Sequence, residues 1–115
     1  MSVRTEKVAS LIKEEIGVLL TREFNDNSYG LITVTDVHMT ADLRVAKVYV
    51  SILGNPEVRD RTLKLLDERK PGIRHVVGSH IRLKFTPEIH FYLDDTMDRV
   101  VRIENLIKQI HREDN

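Results

Sequence analysis

The side chains of this chain whose types invite chemistry are its histidines, a group of aspartates near the C-terminus and a run of cations, and their spacing limits what that chemistry can be. A structural metal site would need three or four ligands brought to one point. There are five histidines and no cysteine. His75 and His80 stand five apart, which puts them on different helix faces, and His38, His90 and His111 are scattered, so no metal is expected. Asp94, Asp95 and Asp98 fall between a strand pattern and a helix pattern. Carboxylates placed there accept the free amides of the first helical turn, and this capping role is expected over a magnesium or acid–base role. Nucleophilic catalysis would need a Ser or Thr activated by a neighbouring His, and no G-x-S-x-G, P-loop or G-x-G-x-x-G motif occurs. Neither a catalytic residue, a cofactor nor a small-molecule substrate is expected.

The cations are more informative. Eighteen basic and eighteen acidic side chains cancel, which ordinarily argues against a nucleic-acid binder. Their distribution argues otherwise. From 23 to 43 there are four acids (Glu23, Asp26, Asp36, Asp42) and no Lys or Arg, whereas 69 to 84 holds Arg69, Lys70, Arg74, Arg82 and Lys84 and no acid. A length of 115 residues with 41% apolar and 31% charged side chains describes one globular domain over 1–115. Absence of cysteine suits a reducing compartment, and neither a signal sequence nor an apolar run of about 18 residues is seen, so a cytoplasmic protein without a membrane partner is expected.

The elements that must position these cations follow from periodicity. Val8, Leu11, Ile12, Ile16, Leu19 and Leu20 recur at helical spacing, predicting an amphipathic helix over about 3–22. A turn-rich stretch, 25–30, leads into two strand patterns at 31–37 and 43–53, the second facing the core with its even positions. Asn55, Pro56 and Glu57 form a helix start, predicting a helix to about 68. Pro71 interrupts it and disfavours a helical Lys70, yet Ile73, Val76, Val77 and Ile81 resume the spacing at once, so two helices meeting at a kink are expected. Alternation over 83–93 predicts a long third strand with Pro87 at an edge or bulge, and Val100, Ile103, Leu106, Ile107 and Ile110 predict a last helix over about 96–112, capped by Asp95 or Thr96. The order is αββααβ plus a C-terminal helix, an α+β domain with a sheet packed against helices.

On the helix after Pro71, steps of 100° put Val76, Val77, His80 and Ile81 with Ile73 on the apolar side, so His80 is expected to be partly buried. Arg74, His75, Ser79 and Arg82 lie opposite. With Arg69 and Lys70 at the kink and Lys64 on the preceding helix, they form a candidate RNA-binding ridge. Two helices meeting at a tight bend against a three-stranded sheet resemble the KH arrangement, whose interhelical turn meets RNA backbone, although no GxxG occurs here.

These residues also carry a more specific resemblance. Arg4-Thr5-Glu6-Lys7-Val8, the stretch ITVTDVHMTADLRVAKVYVSIL from 32 to 53, Ile73-Arg74, RLKFTPEIHFYLDD from 82 to 95, and Arg102-Ile103 with Leu106-Ile107 resemble the ribosome-binding factor A family nearly end to end. The resemblance implies a type II KH-like domain with a mixed three-stranded sheet in sequence order and no enzymatic chemistry. It also implies a ribosome assembly factor that binds the small (30S) subunit or its precursor, contacts small-subunit rRNA near the 5′ end and neck, and supports late maturation and rRNA processing, especially in the cold, as a monomer. Where the family has an Ala-any-Gly kink, this chain has Arg69, Lys70 and Pro71, with Gly72 following. The alternative is a protein-binding module without RNA contact. The two differ in salt dependence, because neutralising phosphates releases counterions.

Overall fold

The computed structural model describes residues 2–24 and 29–113, with the side chains of 97–99 and 112–113 also outside the description. Residues 25–28 of the expected turn and the Asp98 carboxylate therefore lie beyond it. The elements are α1 (Val3–Glu23), β1 (Leu31–Met39), β2 (Val45–Leu53), α2 (Pro56–Glu68), α3 (Lys70–His80), β3 (Glu88–Leu93) and α4 (Thr96–Glu113). The expected order is present.

Local chemistry explains the boundaries. Ser2 Oγ accepts from the Thr5 amide at 3.2 Å and starts α1. Asn55 Oδ1 accepts from the Val58 amide at 2.9 Å ahead of Pro56, as the start signal predicted. The break between α2 and α3 falls at Arg69 (φ −92°, ψ 0°), one residue earlier than expected, and Lys70 is already helical with Pro71 in its first turn. Proline is tolerated there because its missing N–H has no partner to lose. At the start of α4 the carboxylate that accepts from Thr96 is Asp94, whose Oδ1 takes the Thr96 amide (3.0 Å) and hydroxyl (2.6 Å) while Oδ2 accepts from Thr35 Oγ1 (2.6 Å).

The strands form one mixed sheet in the order β1-β2-β3, with β1 antiparallel and β3 parallel to β2. Ala46, Val48, Val50 and Ile52 of β2 face inward, as their even positions required. β1 changes parity midway: Ile32 pairs with Ile52 and Val34 with Val50, then Val37 pairs with Val48 and Met39 with Ala46, with a bulge between Val34 and Asp36. Without the extra residue, one half of β1 would turn its apolar side chains to water. Val8, Ile12, Ile16 and Leu20 of α1, Leu66 of α2 and Ile73 and Val77 of α3 cover this inner face. The outer face carries His38 edge-on to Tyr49, and Tyr49 stacked on Tyr92, both pairs with centroids 5.5 Å apart.

Two expectations are corrected. The third strand is short: 83–87 is not strand, because Pro87 cannot donate to a ladder and pairing starts only at Glu88, opposite Val45. His80 is not partly buried but exposed, its Nδ1 2.6 Å from Glu15 Oε2 of α1. As the last residue of α3 it is displaced from the core by Ile81, which is buried instead.

α4 makes no extensive contact with another element among the described residues, and Val100, Val101, Ile103, Leu106, Ile107 and Ile110 are all 42–57% exposed. The radius of gyration, 17.1 Å, exceeds the roughly 13 Å of a compact 115-residue domain accordingly. Deleting 100–115 is therefore expected to move the thermal midpoint by no more than a few degrees, since surface groups contribute within about 0.5 kcal/mol each. A fall of the midpoint by about 10 °C or more in that variant would show that α4 packs on the domain in solution.

Candidate nucleic-acid interface

The segment 82–87 runs from α3 to β3 without regular structure, and three contacts fix it. Arg74 Nη2 donates to the Thr86 carbonyl at 2.9 Å. The Glu88 amide donates to the Arg44 carbonyl at 2.8 Å, and Pro87 is fully buried between them in sequence. Gly78 completes the arrangement: a Cβ there would stand 2.8 Å from Thr86 Oγ1, so only glycine lets α3 and this segment lie so close. The segment presents Arg82, Lys84 and Phe85 outward, the last 48% exposed.

Of the expected RNA-binding residues, Arg74, His75 and Ser79 come together in one shallow recess that Lys84 and Phe85 complete. Ser79 Oγ is turned onto its own helix, donating to the Val76 carbonyl at 2.8 Å. Arg82 is exposed but lies beyond the end of α3, so the helical wheel that put it beside Arg74 does not apply to it. Arg69 is not brought to the Arg74 side: it lines a different recess with Glu23, Phe24, Tyr29 and Leu65. Lys70, half-buried, has Nζ 3.3 Å from Asp67 Oδ1, and Lys64 is exposed on α2. The single ridge expected from the sequence is thus divided.

Other cations take its place. Lys84 and Phe85 also line a second recess, which brings in Arg4 from the start of α1 and Arg44 from the β1–β2 turn. The Arg44 guanidinium carbon lies 4.4 Å from the Phe85 ring centroid and Lys84 Nζ 5.5 Å from it, both within cation–π range. The turn that carries Arg44 is held firmly. Leu43 adopts a left-handed φ of 61°, Thr40 Oγ1 donates to Asp42 Oδ1 at 2.7 Å, and the Arg44 amide donates to the same oxygen at 3.1 Å. The Thr40 hydroxyl, ahead of the Arg44 amide, holds the exposed Asp42 carboxyl below its ordinary 3.8. That contribution is complete above the unfolded value and is lost as pH falls through the lowered one. Arg4, Arg44 and Phe85 are not among the expected site residues, and Lys84 figures only in the basic run, because the four lie in three separate segments and because Phe85 fits an alternation of which only 88–93 becomes strand.

Among the described residues no group of three or more His, Asp or Glu is placed to hold a metal ion, and no helix is long and apolar enough to cross a membrane. Among the described residues this small α+β domain thus gathers Arg4, Arg44, Arg74 and Lys84 around an exposed aromatic, Phe85. Comparison with known proteins specifies the class. The model of the ribosome-binding factor A family matches residues 4–107. A ribosome-binding factor A from Chlorobium phaeobacteroides is 43% identical over 115 residues, covering 98% of each chain. The crystal structure of ribosome-binding factor A from Thermus thermophilus superposes with a TM-score of 0.67 at 19% identity, over 77% of this chain and 94% of that one. Coordinates of the Thermus thermophilus factor fitted into a cryo-electron microscopy map of its 30S complex match with a TM-score of 0.61 at 21% identity, over 83% and 96%. The chain belongs to the ribosome-binding factor A family, a family of ribosome-binding factors and not of enzymes.

Proposed function

We propose that this protein binds the small ribosomal subunit or its precursor by laying the Arg74–Lys84–Arg44 face on the backbone of small-subunit rRNA, and that it does so as a cytoplasmic monomer assisting late maturation and rRNA processing, with its contacts near the 5′ end and neck and its importance greatest in the cold. The observation that carries the reading is the basic lining of two recesses that share Lys84 and Phe85: Arg4, Arg44, Lys84, Arg74 and His75 line them, and Asp42 is the one acid among the described lining residues. The relative seated on a 30S subunit has the same fold, which supports the choice of partner. Arg69, Lys70, Lys64, Ser79 and Arg82 belong to this reading as flanking contacts; the junction at Arg69 corresponds in position to the interhelical turn by which KH domains meet RNA.

A protein-binding module is the competing reading, and the exposed apolar face of α4 is in its favour. Co-sedimentation with purified small subunits across a salt series separates the two. With about four phosphates neutralised, log affinity is expected to fall against log salt with a slope near −4. A flat salt response, or binding that survives removal of accessible rRNA, would overturn the RNA reading.

A further inference from the structure

Phe85 is the one Phe, Tyr or Trp among the described residues that line the two recesses, where His75 is the other aromatic ring, and nothing in a purely electrostatic grip on a phosphate backbone requires it. It is also held unusually well for an exposed ring. The Arg74 bond to Thr86, the close approach of Gly78 to Thr86, buried Pro87 and the Glu88–Arg44 bond fix its backbone, while Arg44 lies over the ring at 4.4 Å and leaves it 48% exposed. A rigid, half-open aromatic with Arg44 and Lys84 beside it has the two parts that unpaired nucleic acid needs: a π surface for a base and cations for the phosphates on either side. Paired bases are stacked inside a helix and offer no free face, so a ring in this position discriminates against duplex.

We propose that Phe85, flanked by Arg44 and Lys84, is a stacking site for an unpaired nucleobase, so that this face holds a single-stranded segment of rRNA. The inference rests on the functional reading above and names the form of RNA that the same face takes. An acidic peptide would use the cations without needing the ring.

The chain contains three tyrosines and no tryptophan, so Phe85→Trp carries a single tryptophan, at the site, that can be excited selectively. A single-stranded oligoadenylate is expected to quench that emission, a fully paired RNA duplex to leave it nearly unchanged, and an oligoglutamate peptide to leave it unchanged. Phe85→Leu keeps an apolar side chain at a half-exposed position and should fold as the parent does. Its affinity for small subunits is expected to drop about tenfold with the salt slope unaltered, and Phe85→Trp to restore it, because stacking is lost and regained while the phosphate contacts stay. Lys84→Ala should instead flatten the slope by about 0.7, the single-strand value per phosphate. Parent protein that binds subunits while Phe85→Leu binds as tightly and Phe85→Trp is not quenched by the oligonucleotide overturns the stacking site and leaves the functional reading standing. Quenching by the peptide or equally by the duplex overturns it too. Failure of the parent to bind subunits at any salt removes both.

Discussion

Gly30→Ala is expected to lower the thermal midpoint by on the order of 10 °C. A Cβ on Gly30 would stand 2.2 Å from the Leu53 carbonyl oxygen, 2.8 Å from Ile52 Cγ2 and 3.2 Å from the Leu53 carbonyl carbon. The nearest of these is backbone at the end of the β1–β2 ladder, where Leu31 pairs with Leu53. It cannot swing aside as a side chain would. Gly30 is tied from the other direction as well, since its amide donates at 3.1 Å to Thr62 Oγ1, a fully buried hydroxyl that in turn donates to the Val58 carbonyl at 2.7 Å. Relief of the clash therefore either opens the sheet end or withdraws Gly30 from Thr62. Overpacking costs about 1–3 kcal/mol, and orphaning a buried donor a similar amount. Together these reach about 3 kcal/mol, a large share of the 5–15 kcal/mol that typically holds a domain together. Thr62→Val removes both hydrogen bonds of the hydroxyl without introducing the clash and should cost less, and the double variant should fall short of the sum because both changes act on one contact. An alanine variant melting within two or three degrees of the parent, by calorimetry or urea titration, would show that this end of the sheet yields freely.

Helix ends and the core were legible because each depends on a few adjacent residues. Asn55-Pro56 caps α2 as its types dictate, and the even positions of β2 are buried because a strand repeats every two residues. Two departures from regular strands are carried by spacing and residue type. The apolar residues of β1 step by two from Ile32 to Val34, by three to Val37, and by two again to Met39, and that three-residue step is the bulge at Thr35. Pro87 sits inside a run that alternates cleanly, which predicts a strand over 83–93 with the proline at an edge or bulge; because proline cannot donate to the ladder, the strand begins one residue after it instead.

The candidate site was less legible than the fold. Arg74, His75 and Ser79 share a face because one helix carries them, and that much a 100° wheel supplies. Arg44 meets Phe85 only because β2 and β3 run parallel in a register that sets Val45 opposite Glu88, and Arg69 leaves the group because the helix break comes at that residue and not after it. Both are consequences of pairing between segments distant in sequence, which no local pattern encodes.

Arg74→Glu with Arg82→Glu is expected to weaken binding to small subunits by about a hundredfold or more at moderate salt and to flatten the salt slope by about two, since each lost phosphate contact removes close to one unit and the new carboxylates add repulsion. The two positions are not equivalent in folding. Arg82 is exposed past the end of α3, and its reversal should leave the midpoint within about 0.5 kcal/mol of the parent. Arg74 also donates to the Thr86 carbonyl, so its reversal should cost about 1 kcal/mol and loosen the segment that carries Phe85. Arg82→Glu alone thus isolates the electrostatic effect, whereas Arg74→Glu combines it with displacement of the aromatic and should lose more affinity than its one slope unit accounts for. Lys13→Glu supplies the control: it is exposed on α1 in recesses lined by Gly17, Val18, Asp36 and His38, away from the Arg74 face. Subunit binding that is equally tight in the folded double variant and the parent, at low and moderate salt, would move the interface off this face altogether. A drop for Lys13→Glu as large as that for Arg82→Glu would show instead that net charge, and not this face, governs association.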